Sequence, residues 1–271
     1  MRLLILGSTF DTVARSVAER ITRRHGAESV MHRTLEDLAN ASWLHRVGAA
    51  GVTTSLNFAD GTTFAGFAPT IVLNRLEFVP TLLFTRMATG DRDYARTEFY
   101  ALLLSWLAGL GDIVVNRAAP SGLAGPDLRP WQWIASAAKV GLPPFPGGAA
   151  TSARRAPAPP GSVPRPDLMP AVDDAALARL GFDRPITRAP PPAGLLQILV
   201  LGDRVIGAEA SQDLERPCTQ LSRAVGAEIL LIQLARLVND TRWRFVSAEA
   251  RPRTLGQQES IALTDWLEYR A

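Results

Sequence analysis

Apolar positions near the start of the chain switch between two periods. Leu3 to Leu6 form an unbroken apolar run ending in Gly7-Ser8, after which Val13, Val17 and Ile21 recur at helical spacing. That is a buried strand, a glycine turn and an amphipathic helix, the opening of an α/β sheet. A second unit follows, with a strand over 28–32 and a helix over 35–44. Residues 52–58 and 62–67 alternate apolar and polar around Asp60-Gly61, which predicts a hairpin. Ile71-Val72-Leu73 reads as a buried strand ending in Asn74-Arg75. A long helix over 91–110 carries acidic residues in its first turn and glycines near its end. Residues 113–115 form another buried strand, which again ends in Asn-Arg (Asn116-Arg117), and a helix covers 131–139. The first half is thus an open, mostly parallel sheet flanked by helices.

The pattern then lapses. Nine prolines fall between Pro143 and Pro170, and such a stretch buries too little apolar surface to offset its ordering entropy. It is expected to be a flexible or polyproline-like crossing without strands, apart from a short helix over 174–180. Order returns with a hairpin over 195–201 and 204–210, a helix from Pro217 to Val225, strands over 228–238 and 243–248, and a closing helix over 257–269. The expected division is 1–141, a crossing over 142–193, and 194–271.

Composition narrows the chemistry. With 271 residues, 47% hydrophobic and 20% charged, the chain is globular. No stretch reaches the roughly 18 apolar residues of a membrane span, and the apolar start is too short for a secretory signal, so a cytoplasmic location is expected. Cys218 is the single cysteine, which excludes an internal disulfide. Of 29 basic side chains, Lys139 is the single lysine and the other 28 are arginines. No phosphate-binding G-x-x-x-x-G-K-[ST] string is present, and Gly7 does not continue into a dinucleotide fingerprint. A net charge of +3, with arginines scattered rather than striped, gives no nucleic-acid footprint.

Most chemistry-bearing residues have ordinary readings. His25, His32 and His45 show no metal-ligand spacing, and Cys218 is a packing residue. Asp91, Asp93 and Glu98 complement a helix dipole. The Asn-Arg pairs are more informative, because ligands of open α/β sheets gather beyond the carboxyl ends of the strands. There Asn74, Arg75, Asn116 and Arg117 would meet a carboxylate or a peptide backbone. The alternative is that each arginine pairs with a neighbouring acid such as Glu77 or Asp112. Trp131, at the loop-to-helix transition that opens the 131–139 helix, is either a core residue or a stacking surface.

Three stretches together resemble the ATP-grasp ligases, in particular the RimK-type peptide-modifying ligases and the maturases of ribosomal peptides. DRDYARTEFYALLLSWLAGLGDIVVNRAAPSGLAGP is similar to the end of that family's N-terminal domain, and RPWQWIASAAKVGLP to the helix that follows it. QILVLGDRVIGAEA, RAVGAEILLIQLARL and RWRFVSAEARPRTLG are similar to its C-terminal hairpin, its aspartate-bearing strand and its Glu-x-Asn-x-x-P strand. The resemblance implies an α/β fold: a pre-ATP-grasp-like parallel sheet followed by a truncated, ATP-grasp-like α+β part lacking the central lid. It also implies where magnesium would be held, and those positions carry Gln233, Ser247 and Glu249 in place of aspartate, glutamate and asparagine. Magnesium takes oxygen ligands, usually including one or two carboxylates.

The expectation is therefore a catalytically dead relative without cofactor. It would resemble the leader-binding proteins of crocagin-type pathways and hold a precursor peptide for a modifying enzyme, with no nucleic-acid or membrane partner. The hairpin bearing Arg204 and the cleft at the Asn-Arg pairs are the docking candidates, and sheet edges left by the lost lid favour a homodimer. The rivals are a divergent active ligase using Glu249 and Lys139, an unrelated Rossmann-like transferase, and a subunit that merely stabilises a partner enzyme.

Overall fold

The computed structural model describes residues 1–49, 51–146, 148–150, 163–164, 186–189, 192–207, 212–238 and 240–271. They form two compact units, one of Met1–Asp127, Val225–Leu230 and Ala250–Ala271, the other of Leu128–Ala224 and Leu231–Glu249. These units do not coincide with the expected linear division, because the C-terminal residues belong to the first unit.

In the first unit, strand β1 (Leu3–Leu6) leads into helix α1 (Thr12–His25) and β2 (Val30–Arg33). Asp11 caps α1 by accepting from the amides of Val13 and Ala14. Helix α2 (Leu35–Asn40) starts with a reciprocal Thr34–Asp37 capping box. It stops four residues short of the sequence expectation, and the chain extends at Ala41 into β3 (Ser42–Gly48). Trp43, on that strand, donates its indole hydrogen to Leu38 O at the helix end.

The main hairpin is β3 with β4 (Gly51–Asn57), paired through all seven positions, and not the one centred on Asp60-Gly61. The predicted turn at Gly61 does exist, with φ +81°. Its second arm makes a single bridge, Asn57 to Thr63, because Thr63 then caps the short helix α3 (Phe64–Phe67). Strand β5 (Ile71–Asn74), helix α4 (Arg92–Leu110) and strand β6 (Val114–Val115) follow.

The sheet order is β2-β1-β5-β6, parallel throughout. Every side chain of β1 and β5 is buried, as a sheet covered on both faces requires. On one face Leu4, Leu6, Val72 and Val114 meet Leu103, Trp106 and Leu107 of α4, where the Trp43 and Trp106 rings sit edge to face, 5.2 Å apart.

The second unit begins with helix α5 (Pro130–Lys139), with proline in its first turn. Strands β7 (Gly148–Ala150), β8 (Val163–Pro164) and β9 (Ile186–Ala189) form an antiparallel sheet of order β7-β9-β8. The crossing expected to lack strands therefore contains three. Backbone pairing over two to four residues needs no apolar alternation, so the sequence pattern could not announce them. The helix expected at 174–180 lies outside the described residues.

Next come β10 (Gly194–Leu201), β11 (Arg204–Ile206), helix α6 (Gln212–Val225), β12 (Ile229–Arg236) and β13 (Arg244–Glu249), in the sheet order β11-β10-β12-β13. Helix α6 begins five residues ahead of Pro217, which sits inside it at the cost of one backbone bond. The chain closes with α7 (Gln257–Arg270), which packs on α1 in the first unit. Arg24 there pairs with Asp265 at 2.7 Å and with Glu268.

Candidate functional site

The two Asn-Arg pairs do lie at the carboxyl ends of β5 and β6. Asn74, Arg75 and Asn116 are 2%, 3% and 2% exposed, and each is fully engaged. Asn74 donates to Asn116 O at 3.1 Å and Leu123 O at 2.7 Å. Asn116 donates to Ile229 O (2.8 Å) and Ala250 O (2.6 Å), and its Oδ1 accepts from the amides of Glu228 and Ile229, both at 2.7 Å. The fit leaves no spare space: a Cβ on Gly125, whose φ is +95°, would lie 3.0 Å from Asn116 Cβ and 3.2 Å from Ala250 Cβ.

Arg75 donates from Nε to Asp11 Oδ2 at 2.6 Å and from a terminal nitrogen to Pro252 O at 2.7 Å. Burial pulls its proton affinity below the ordinary arginine value, against the opposing hydrogen bond and charge of Asp11. Arg75 and Asn116 do grip a peptide backbone, the chain's own at 228–229 and around Ala250–Pro252, while Asn74 holds the carbonyls of Asn116 and Leu123; the chain itself thus fills the place where an α/β sheet would bind a ligand. Arg117 is exposed and pairs with Asp112, while Glu77 pairs with Arg251. The neighbouring-acid reading thus describes Arg117, and Arg75 has found a more distant acid.

The remaining candidates lie in the second unit. Trp131 is 63% exposed on the first turn of α5, whereas its neighbour Trp133 is buried. Arg204 is exposed on β11, the edge strand of its sheet. Gln233 and Ser247 are directly paired across β12 and β13, and Ser247 Oγ donates to Gln233 Oε1 at 3.0 Å. Glu249, two residues further along β13, shares their face. This face offers one carboxylate, one amide and one hydroxyl, with the last two bonded to each other. Lys139 is exposed in the last turn of α5.

The ordinary readings of the other groups can be placed. His25 meets Glu268, His32 meets Gly7 O, and His45 lies between Thr54 and Ser105. Burial pushes the Cys218 thiol up to about 12, so it is protonated at neutral pH. Among the described residues, no group of three or more His, Cys, Asp or Glu side chains is placed to hold a metal ion.

The sequence reading missed a polar cleft of about 330 Å³ lined by Thr12, Ser16, Arg20, Thr254 and Gln257. Its residues come from α1 and from the loop and first turn of α7, about 240 positions apart in the chain, so no local motif marks it. Glu259, in the first turn of α7, has its carboxylate close to where a Gly256 Cβ would stand, and its charge complements the positive end of that helix.

No protein-family model matches this chain, and no curated protein matches it. Solved structures do. The ATP-grasp ligase PsnB, in complex with a phosphomimetic variant of a minimal precursor, Mg and ADP, matches over 100% of this chain and 98% of its own, with TM-score 0.68 and 16% identity. The macrocyclase MdnC from Microcystis aeruginosa MRC, bound to the precursor peptide MdnA, matches over 99% and 100%, with TM-score 0.68 and 12% identity. A RiPP-associated ATP-grasp ligase from Chryseobacterium gregarium, with ADP and a leader and core peptide, matches over 100% and 98%, with TM-score 0.63 and 14% identity. The chain has the ATP-grasp ligase fold. The stretch 147–191, where a lid would lie, falls largely outside the described residues.

Proposed function

We propose that this chain is a non-catalytic, cytoplasmic, homodimeric peptide-binding protein that holds a ribosomally made precursor by its leader and presents it to a separate modifying enzyme. The observation that carries the reading is the Ser247–Gln233 hydrogen bond. Two of the three positions where the fold family would hold magnesium carry neutral side chains that satisfy each other. Glu249 is the one carboxylate on that face, and a lone carboxylate is a poor match to a small ion that demands near-octahedral oxygen ligation and brings two positive charges. The residues present therefore do not fit a magnesium–nucleotide pair. The single lysine adds to this, because phosphoryl transfer is stabilised chiefly by metal and cationic clamps.

Peptide holding is supported by the company the fold keeps, since PsnB, MdnC and the Chryseobacterium ligase are each described with a precursor or leader peptide. It is supported also by the exposure of Trp131 and Arg204. A guanidinium on the edge strand β11 suits a peptide that adds to the sheet or lies across the β10–β11 hairpin, and Trp131 on α5 offers an aromatic face for stacking. The competing reading, a divergent active ligase, draws on Glu249 and on Lys139, exposed in the last turn of α5.

Isothermal titration decides between them. Titrating a ribosomal precursor peptide that carries its leader is expected to give micromolar or tighter binding, and ATP with magnesium is expected to give no heat of binding. Magnesium-dependent ATP binding overturns the non-catalytic reading. Co-purification with an enzyme but no peptide affinity overturns the peptide reading.

A further inference from the structure

Helix α1 turns Thr12, Ser16 and Arg20 to one side, at spacings of four residues. There, with Thr254, Gln257 and Ser260 from the loop and first turn of α7, they line the polar cleft. All six residues belong to the first unit. The cleft holds about 330 Å³, at the small end of ligand pockets, which run from roughly 300 to 1,000 Å³. That is a size for one side chain rather than for a nucleotide.

The polar groups around it are largely unengaged. Ser260 is 6% exposed and its carbonyl accepts from Thr264 Oγ1, yet its hydroxyl makes no hydrogen bond among the described residues. Nor do the side chains of Ser16, Thr254 and Gln257, whereas Thr12 Oγ1 donates to Arg253 O. The N-cap of α7 is Gly256, which has no side chain to satisfy the first amides of that helix. Among the described residues Arg20 has neither an ion pair nor a hydrogen bond, and its Nε is buried without a partner. One turn further along α1, Arg24 pairs with Asp265 and Glu268. Buried polar groups in folded proteins are nearly always paired. An unpaired guanidinium and an unpaired, nine-tenths-buried hydroxyl lining one cleft therefore mark a place that a ligand completes.

Charge selects the ligand. Arg20 brings one positive charge, and the start of α7 adds roughly half of another. Glu259, at the same helix start, works against both. That balance suits a single negative charge, as on a carboxylate, and not the nearly two charges of a phosphate monoester. Val13 and Leu255 supply apolar wall for a short methylene stem.

We infer that this cleft is a subsite for the carboxylate of an aspartate or glutamate side chain, held by the terminal nitrogens of Arg20, the Ser260 hydroxyl and the first amides of α7. That the side chain is one of the precursor's rests on the peptide-binding reading above; that the cleft takes a carboxylate does not.

Nuclear magnetic resonance of the nitrogen-15-labelled full chain, at constant ionic strength, tests the carboxylate site. N-acetyl-glutamate α-amide is expected to shift the amide signals of 257–260 saturably, and N-acetyl-glutamine α-amide to leave them in place. Inorganic phosphate is expected to bind there about tenfold more weakly than the glutamate probe. Arg20→Met keeps the stem without the charge, and is expected to weaken the glutamate probe about tenfold at an unchanged melting temperature. A wild type that ignores the glutamate probe, binds the glutamine probe or phosphate equally well, or is matched by Arg20→Met overturns the site. In a second arm, a precursor peptide carrying its leader is titrated calorimetrically, and Arg20→Met is expected to bind it about tenfold more weakly than wild type. Equal affinities overturn the assignment of the side chain to the precursor. A wild type that takes the glutamate probe but no precursor overturns the peptide reading and leaves a site for a free carboxylate.

Discussion

Asp11 and Arg75 lock the first strand–helix turn to the end of β5. The guanidinium takes Asp11 Oδ2 at 2.6 Å, while Oδ1 of the same carboxylate caps α1 by accepting from Val13 and Ala14. Both side chains are almost fully buried, at 2% and 7% exposure. One aspartate thus orders a helix start and neutralises a buried cation, and the cation's other hydrogen bond holds Pro252 O.

Removing the cation from this arrangement strands the carboxylate. Arg75→Met is expected to lower the unfolding free energy by about 3 kcal/mol, since breaking one partner of a buried pair leaves an uncompensated charge. Asp11→Asn/Arg75→Met, with both charges gone, is expected to recover part of that loss. Urea unfolding of the two variants against wild type measures it, and a single-variant midpoint equal to wild type contradicts the role.

Asn116 is expected to be more costly still. Asn116→Ala deprives the amides of Glu228 and Ile229 and the carbonyls of Ile229 and Ala250 of a side-chain partner at once. Leaving buried polar groups unsatisfied costs roughly 1–3 kcal/mol each, with incomplete additivity, so a total of about 4 kcal/mol is expected in the same unfolding experiment. Asn116→Asp retains the acceptor but loses both donors, and is expected to fall between wild type and alanine.

Trp131 and Arg204 are expected to show the opposite split. Both are exposed, so Trp131→Ala and Arg204→Ala should leave stability within roughly 0.5 kcal/mol of wild type. Each is expected to weaken precursor-peptide binding about tenfold, the scale of an interface anchor. Calorimetric titration beside a thermal melt separates the two effects. Unchanged affinity in both variants moves the peptide site elsewhere.

The contrast between these sets shows what the sequence could reveal. Leu3–Leu6, Ile71–Asn74, the long α4 and the last four elements were legible because burial on both faces produces apolar runs and α4 bears end signals. The first three residues of β3, Ser42 to Leu44, were read as the tail of a helix because no breaker precedes them. Only the extended backbone at Ala41 separates the two states. Asn74, Arg75 and Asn116 stood out as strand-end residues that would meet a ligand, and in the structure they are buried on the chain's own groups. What they grip was invisible, because the partners of Asn74 at Asn116 and Leu123 lie 42 and 49 residues away, and those of Arg75 and Asn116 at 228–229 and 250–252 lie more than a hundred residues downstream.

Cys218 offers a pH test with a definite sign. Burial raises its thiol from an ordinary 9.0 to about 12, so the folded state favours the neutral form. The contribution to stability is complete below about pH 9 and is lost as pH rises from there towards 12. The native protein is expected to be inert to a thiol reagent such as 5,5′-dithiobis(2-nitrobenzoate) at pH 8 and to react with one equivalent when unfolded in urea. Cys218→Ala is expected to flatten the fall in stability between pH 9 and pH 11. Rapid native labelling contradicts the burial argument.

The Gln233–Ser247 pair permits a test by restoration. Q233D/S247E places two carboxylates directly opposite each other across β12 and β13, with Glu249 on the same face. Like charges across a strand pair are destabilising. The variant is expected to melt several degrees below wild type in EDTA. Millimolar magnesium is expected to return part of that loss, because the face then supplies the carboxylate oxygens the ion prefers. The wild-type melting temperature is expected to ignore magnesium up to the same concentration, its amide and hydroxyl being bonded to each other. A wild type that magnesium stabilises as strongly as the variant would show that Glu249 and its neighbours already hold the ion.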